Sequence, residues 1–279
     1  MKDVIHKYLR PKKKFPHVWC PGCGNGIILG AVARAVDSIG LSKDEVVLVS
    51  GIGCSSRAPV YLDFASLHGT HGRALAFATG IKFANPELTV IVLSGDGDGL
   101  AIGGNHFIHA CRRNIDLTLI IFNNNIYGMT GGQYSPTMST GAYGATAPYG
   151  NIERPFDVCS LAASAGANFV ARATVSHVFL LEKYIKQGIL KKGFSVIDAV
   201  TPCPSIYSFF NKTGNAVMMM KALREKAVML ERVAAEPDEN LKDKIVMGIF
   251  ADRNYKEYTQ AYNELIEKAK RSKKDEEPL

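Results

Sequence analysis

Gly95-Asp96-Gly97-Asp98-Gly99 and, further on, Asn123-Asn124-Asn125 each follow an apolar run, Leu88-Thr-Val-Ile-Val-Leu93 before the first and Leu117-Thr-Leu-Ile-Ile-Phe122 before the second. Short, wholly apolar runs read as strands buried on both faces, and the glycines let the backbone approach a ligand closely. Carboxylate and amide oxygens beside close main-chain N–H groups suit a hard cation carrying a phosphate. The two strand ends are therefore expected to hold Mg²⁺ and a diphosphate.

Working outward, the chain alternates between short β-rich runs and helical patterns. A helix capped by Asn25 and running through Ile27 to Ile39 is expected, stopped by Gly40, followed by a strand at Val46–Ser50. His71 to Ala84 reads as a helix ended by Asn85-Pro86, and residues 103–113 as another. Helices near 156–165 and 176–188 and strands near 168–171 and at Phe194–Val200 continue the pattern. Such alternation predicts an α/β fold, a mostly parallel sheet with helices on both faces. Asn123 to about Arg154, rich in Gly, Thr, Tyr and Pro, has no period; a loop of that length in a compact domain is usually functional. Residues 215–234 and 254–272 read as helices with a turn or linker at Glu236-Pro237-Asp238-Glu239. The expected division is 1–212 as the ligand-binding domain and 213–279 as a C-terminal helical extension.

Four segments lie just past predicted strand ends: Gly51-Ile-Gly-Cys54, Gly95–Asp98, Asn123–Asn125 and Thr201-Pro-Cys203. In open α/β sheets ligands bind in the crevice at those ends, so the four are expected to meet.

The 279 residues are 47% hydrophobic and 21% charged, enough to bury a full core. No apolar run reaches the roughly 18 residues of a membrane span, and Met1 to His17 is basic without an apolar stretch, so a cytoplasmic location and no membrane association are expected. The net charge of +7 is concentrated near the ends, at Lys12-Lys13-Lys14 and from Lys268 to Lys274. Solvated tails explain it, and docking of an acidic partner is the functional alternative. The basic runs lack interleaved aromatics, which argues against nucleic acid. Of the six cysteines, Cys20 and Cys23 have C-x-x-C spacing, which fits a metal, a cluster or a redox pair. Cys111 and Cys159 sit in apolar helical patterns and read as core.

Gly95-Asp96-Gly97 with Asn124 one helix and one strand later is similar to the thiamine diphosphate-binding pattern. Five further segments narrow the resemblance: Trp19-Cys20-Pro-Gly-Cys23-Gly, Gly51-Ile-Gly-Cys54-Ser-Ser-Arg57-Ala-Pro, His68-Gly-Thr-His71-Gly-Arg73, Gly103-Gly-Asn105-His106 and Tyr127-Gly-Met-Thr130-Gly-Gly-Gln133-Tyr-Ser-Pro-Thr137, with Thr201-Pro-Cys203-Pro beyond them. Together they resemble the β subunit of 2-oxoacid:ferredoxin oxidoreductases, most closely the 2-oxoglutarate branch.

The resemblance implies a set of roles. Asp96 and Asn124 side chains and the Ile126 carbonyl would ligate Mg²⁺. Gly95, Gly97, Asp98, His71, Ile52, Gly53, Cys54, Ser55, Gly128 and Met129 would surround thiamine diphosphate. Asp98 is the competing metal ligand on residue type alone. Cys20, Cys23, Cys54 and Cys203 would hold a [4Fe–4S] cluster; a Cys₄ zinc site has the same spacing but no redox chemistry. Arg57 would be the catalytic-site cation for the substrate carboxylate, and a capping or core role is the plain alternative for His71. The implied reaction is oxidative decarboxylation of a 2-oxoacid, 2-oxoglutarate on this branch, with CoA to acyl-CoA and CO₂, the electrons leaving through the cluster to ferredoxin.

Thiamine enzymes also need a glutamate on a second domain that this chain does not display. The resemblance therefore implies an α subunit, with activity only in the complex. The chain departs from the family after Cys203, where Tyr207-Ser-Phe-Phe-Asn211 stands in place of paired arginines. Alternatives from the residues alone are a pyruvate or branched-chain 2-oxoacid enzyme, a non-oxidative thiamine-dependent decarboxylase or synthase, and a zinc-binding interaction module.

Overall fold

The computed structural model describes residues 2–12, 16–233, 241 and 243–275. Lys13, Lys14 and the expected linker at Glu236–Glu239 lie outside the described residues.

Among the described residues ten strands form: β1 (Val46–Ser50), β2 (Ala65–His68), β3 (Thr89–Gly95), β4 (Thr118–Asn123), the hairpin β5 (Ile126–Tyr127) and β6 (Gln133–Tyr134), β7 (Phe169–Thr174), β8 (Ser195–Val200), β9 (Ala227–Met229) and β10 (Ile245–Asp252). Eight of them make one sheet in the order β2-β1-β3-β4-β8-β7-β10-β9. It is parallel from β2 through β7, and β10 joins β7 antiparallel.

β1, β4 and β8 are buried at every position, as strands covered on both faces must be. Successive side chains alternate between two cores. Leu48, Ile91, Leu93, Ile120, Phe122 and Ile197 pack with Ile28, Val32 and Leu181. Val49, Val90, Val92, Leu119, Ile121 and Val196 pack with Leu75, Phe107 and Ala162 on the other face. The first core is covered by helices α1 (Lys2–Tyr8), α2 (Asn25–Ile39) and α6 (Val178–Leu190). The second is covered by α3 (Ala74–Ala84), α4 (Gly104–Arg113) and α5 (Val158–Ser164). Cys111 and Cys159 belong to the second core, with no exposure.

The direction in which the chain leaves each strand creates the site. After β1 it turns toward the first core through Ser55–Val60, where Ala58 is buried. After β3 it turns to the opposite face through Gly97–Ile102, a π-helical turn whose Leu100 enters the second core. Neighbouring strands whose connections diverge leave a crevice at their carboxyl ends. Gly51 to Ser55 and Gly95 to Asp98 line it.

Three expectations need correction, and one strand was not foreseen. The helix expected from His71 begins at Ala74, because Gly72 adopts φ 71° and the chain turns there. Asn25 opens α2 as its first residue; Gly24 is the N-cap, and the helix stops at left-handed Gly40. β2, an edge strand mostly exposed, has no apolar alternation to announce it. The extension 213–279 is helical at α7's neighbour α8 (Ala216–Lys226; α7 is Tyr207–Asn211) and at Tyr258–Asp275, but it also contributes β9 and β10 to the main sheet. In β10 the period is broken by Gly248 at φ 146° and by a register shift between Ile249 and Ala251, so the residues read as no clear strand. No helix among the described residues is long and apolar enough to cross a membrane.

Candidate functional site

The crevice between β1 and β3 is a cavity of about 170 Å³ lined by Asn25, Ile52 to Ser55, His71, Gly95 to Asp98, Phe122, Asn124 and Tyr127 to Thr130. Three of the four strand-end segments meet in it. The fourth, carrying Cys203, lines an adjoining cavity of about 250 Å³ with Cys20, Cys23, Cys54 and Arg57. Cys54, Asn124, Gly128 and Met129 line both. A larger groove of about 820 Å³ is lined by Pro86, Asp116 and Lys192, which precede β3, β4 and β8, and so opens at the opposite end of the sheet.

Asp96 is 2% exposed. Its Oδ2 accepts hydrogen bonds from Ser135 Oγ and Thr137 Oγ1, each at 2.6 Å. Burial pushes its carboxyl above the ordinary range, and the two hydroxyls pull it back part of the way. Asn124 Oδ1 accepts from the Ile126 N–H at 3.3 Å, which ties the amide to the turn bearing the Ile126 carbonyl. Asn125 holds that turn in a left-handed conformation, φ 64°, with its Nδ2 donating to the Thr137 carbonyl at 2.7 Å.

Asp98 is placed differently from its neighbour. Its Oδ1 faces His71 Nδ1 at 2.7 Å and accepts from the backbone N–H groups of Gly72 at 2.7 Å and Ile52 at 3.2 Å. Its Oδ2 accepts from Ser94 Oγ at 2.5 Å. A Cβ on Gly51 would sit 2.3 Å from the same carboxylate, so only glycine fits there. Both oxygens accept from protein donors, which ties Asp98 to His71 and gives it a setting different from that of Asp96. At Gly97 a Cβ would strike the Tyr127 ring at 2.4 Å, while the Tyr127 hydroxyl donates to the Gly97 carbonyl at 2.8 Å. Burial, with the charges of Asp96 and Asp98 adding to it, pushes the Tyr127 hydroxyl up to about 12.

The four cysteines arrive from three places. Cys20 and Cys23 precede α2, Cys54 follows β1, and Cys203 follows β8. Left-handed Gly22, φ 79°, turns the first arm. The Asn25 N–H, in the first turn of α2, donates to the Cys23 sulfur, and the Met129 N–H donates to that of Cys54. Burial raises the Cys23 thiol to about 12 and the Cys54 thiol to about 11, with the charges of Cys203 and Cys20 adding to both and that of Cys54 to Cys23. Cys20, Cys23, Cys54 and Cys203 all line the cavity of about 250 Å³. That space is several times the ~30 Å³ share of a water molecule, and a cluster, whose thiolates bind different irons, needs more room than a single zinc. The wall between the cavities is thin: a Cβ on Gly128 would lie 3.4 Å from Cys203 Sγ and 3.8 Å from Cys54 Sγ.

Arg57 lines the cysteine cavity and not the neighbouring one. Among the described residues no side-chain hydrogen bond or ion pair involves its guanidinium, whereas the buried Arg172 is held by both Asp157 and Asp198.

Some residues of the site were not singled out by the sequence. Asn25 is 1% exposed and Ser55 3%. Both line the first cavity, and Asn25 Oδ1 and Ser55 Oγ have no hydrogen-bond partner. A buried polar atom without a partner costs roughly 1–3 kcal/mol, and a polar ligand in the cavity would relieve both. Ser55 was expected here from the family pattern, but Asn25 read as a helix cap. Ser135, Thr137, Tyr127 and Trp19, whose indole donates to the Cys54 carbonyl at 2.7 Å, lie in the motifs that carried the resemblance, but nothing in the sequence assigned them an individual role.

Residues 22–199 match the family described as thiamine pyrophosphate enzyme, C-terminal TPP binding domain. The chain is 50% identical to the 2-oxoglutarate synthase subunit KorB of Methanocaldococcus jannaschii over 264 residues, 95% of this chain and 97% of that one. It is 57% identical to the protein of the same name from Archaeoglobus fulgidus over 205 residues, 74% of this chain and 76% of that one. Among solved structures it resembles a 2-oxoglutarate:ferredoxin oxidoreductase from Magnetococcus marinus, with a TM-score of 0.84, 32% identity, and coverage of 95% of this chain and 90% of that one. That structure holds 2-oxoglutarate, coenzyme A and succinyl-CoA. The matches to relatives and to the solved structure span nearly the whole chain, so the protein belongs to the β-subunit family of 2-oxoacid:ferredoxin oxidoreductases, built on the thiamine pyrophosphate-binding domain and working as one subunit of a larger enzyme.

Proposed function

We propose that this subunit carries out oxidative decarboxylation of 2-oxoglutarate: the acid loses CO₂ and two electrons, and the succinyl group passes to the sulfur of CoA. The observation that carries the reading is the shared wall. Cys54, Asn124, Gly128 and Met129 line both the cavity of the thiamine pyrophosphate-binding domain and the cavity of the four cysteines. A redox centre on the thiols would lie one backbone layer from the cofactor.

Asp96, Asn124 and the Ile126 carbonyl supply the oxygen donors that Mg²⁺ prefers. His71 and the close backbones of Gly95 and Gly97 suit the diphosphate. Ile52, Gly53, Ser55, Gly128 and Met129 would flank the rest of the cofactor. Thiamine diphosphate supplies the carbanion chemistry of decarboxylation. Cys20, Cys23, Cys54 and Cys203 would hold a [4Fe–4S] cluster whose electrons pass to ferredoxin. The raised pKa values of the Cys23 and Cys54 thiols mean that iron must displace protons from them on binding. Arg57, without a counter-ion among the described residues, offers a planar cation to the carboxylate of the acid. The reading further assigns the missing activating glutamate to an α subunit, and the working compartment to the cytoplasm.

Iron, sulfide, magnesium and thiamine content of the anaerobically purified complex with its partner subunit tests the assignment. The complex is expected to reduce ferredoxin with 2-oxoglutarate and CoA, and less efficiently with pyruvate or branched-chain acids. Thiamine without iron or sulfide would indicate a non-oxidative decarboxylase or synthase instead.

A further inference from the structure

We propose that Ser135 and Thr137 are positioning residues that clamp Asp96 and aim its carboxylate at the divalent cation. The proposal rests on the reading of Asp96 as a cation ligand.

Asp96 is an ionisable group in an almost sealed setting, at 2% exposure, and Ser135 and Thr137 are 1% and 5% exposed. Both hydroxyls meet the same oxygen, Oδ2, at 2.6 Å, the length of an O–H···O⁻ bond. Thr137 Oγ1 also lies 2.9 Å from Asn123 Oδ1 and 3.0 Å from Ser135 Oγ. It has one proton to give, and the shorter approach to the carboxylate claims it. Thr137 is itself held from below, since Asn125 Nδ2 donates to its carbonyl at 2.7 Å. Asn123 is fixed in turn by its Nδ2 donating to Asp198 Oδ1 at 3.1 Å, and Asp198 is fixed by Arg172 Nε at 2.7 Å. The chain of partners therefore runs from the carboxylate through Thr137 and Asn125, whose Nδ2 also lies 3.4 Å from Asn123 Oδ1, to the Arg172–Asp198 ion pair of β7 and β8.

The two hydroxyls belong to the loop after β6 and not to any of the strand ends that form the cavity. Their side chains fall on one oxygen of one carboxylate, which leaves that carboxylate a single orientation. Partners behind a metal ligand restrict its rotation, and their removal typically lowers metal affinity about 10- to 100-fold.

The test is Mg²⁺ titration of thiamine diphosphate binding to the complex with its partner subunit, followed by calorimetry on cofactor-stripped protein. Thr137→Val and Ser135→Ala are each expected to raise the Mg²⁺ concentration for half-saturation by about tenfold. Thr137→Ser, which keeps the hydroxyl, is expected to restore most of the affinity, which a purely structural role for the Thr137 methyl would not allow. Should Thr137→Val fail to assemble, Ser135→Ala and Thr137→Ser carry the comparison. Unchanged half-saturation in Ser135→Ala and Thr137→Val, with Asp96→Asn losing Mg²⁺-dependent binding, would overturn the clamp. If Asp96→Asn binds Mg²⁺ and cofactor as the unaltered complex does, the ligand reading itself is what fails.

Discussion

His71 and Asp98 meet at 2.7 Å, Nδ1 to Oδ1, across the mouth of the cavity, and the pair divides the work of two aspartates that stand two residues apart. An ionised carboxylate only accepts, so the Nδ1 atom carries the proton and Nε2 is the ring atom left for a ligand. Asp98 gathers His71, the Gly72 and Ile52 N–H groups and Ser94 onto one buried carboxylate. Asp96, by contrast, has two hydroxyls, of Ser135 and Thr137, on one oxygen, with the Gly97 backbone N–H as a further partner.

The two halves of this pair are expected to fail differently. Asp98→Ala strands the Gly72 and Ile52 N–H groups and the Ser94 hydroxyl, at roughly 1–3 kcal/mol for each that stays buried. A loss of about 3 kcal/mol and a clear drop in Tm should follow. His71 is 35% exposed at its side chain, so His71→Ala should move Tm little while weakening thiamine diphosphate binding about tenfold, the effect of one charge-assisted bond. Calorimetric melting and cofactor titration of both variants separate the roles. Equal losses of stability would sink the division.

Asn25 sets function against stability. Its amide sits buried with Oδ1 unpartnered, a cost that Asn25→Ala removes along with the weaker helix propensity of asparagine. The cofactor-free variant is expected to be as stable as the parent or more stable by about 1 kcal/mol, yet to bind thiamine diphosphate more weakly. Chemical denaturation with and without cofactor measures both. A variant destabilised without cofactor and unimpaired in binding would return Asn25 to an ordinary structural role.

Removing iron should leave thiols that are slow to react. Burial raises Cys23 to about 12 and Cys54 to about 11, and only the thiolate is a nucleophile. The sign follows directly: below those values the thiols stay protonated. In the iron-free complex, alkylation of both should be slow at neutral pH and rise as pH climbs toward 11. Cys20, which is exposed, should be labelled first. Peptide mass spectrometry after timed iodoacetamide treatment gives the order, and fast labelling of Cys23 at neutral pH would contradict it.

The sheet was legible because its signals are local. The apolar runs at 88–93 and 117–122, the glycines that follow them and the stop at Gly40 act within a few residues, and β3, β4 and α2 lie within two residues of their expected bounds. The same holds for the cysteine arm and the two strand-end motifs, which meet as strand-end geometry requires. β10 was hidden because Gly248 and a register shift break its period. Ser135 and Thr137 were hidden for another reason: they reach Asp96 across the fold, and nothing near them in the chain records that contact. Asp98 shows the limit from the other side, since its sequence looks as fit for a metal as that of Asp96, and only the positions of His71, Gly72 and Ser94 tell them apart.

Arg57 offers the sharpest test of substrate choice. Its guanidinium lines the cysteine cavity beside Asn124, Gly128 and Met129, and no carboxylate of the described residues pairs with it. An unpaired, half-buried cation gains most from an anion delivered by the substrate, and a charge-assisted hydrogen bond contributes about 1.5–3 kcal/mol. Since 1.4 kcal/mol is a factor of ten, Arg57→Gln should raise KM for 2-oxoglutarate about 10- to 100-fold. The cluster and thiamine content should be unchanged. The direction of a second number identifies which carboxylate is bound. If Arg57 holds the carboxylate far from the reacting carbon, KM for pyruvate, which lacks that group, should hardly change. If it holds the carboxylate that leaves as CO₂, both acids should suffer alike. Steady-state ferredoxin reduction with each acid distinguishes these outcomes, and unaltered kcat/KM for both acids would remove Arg57 from the substrate site.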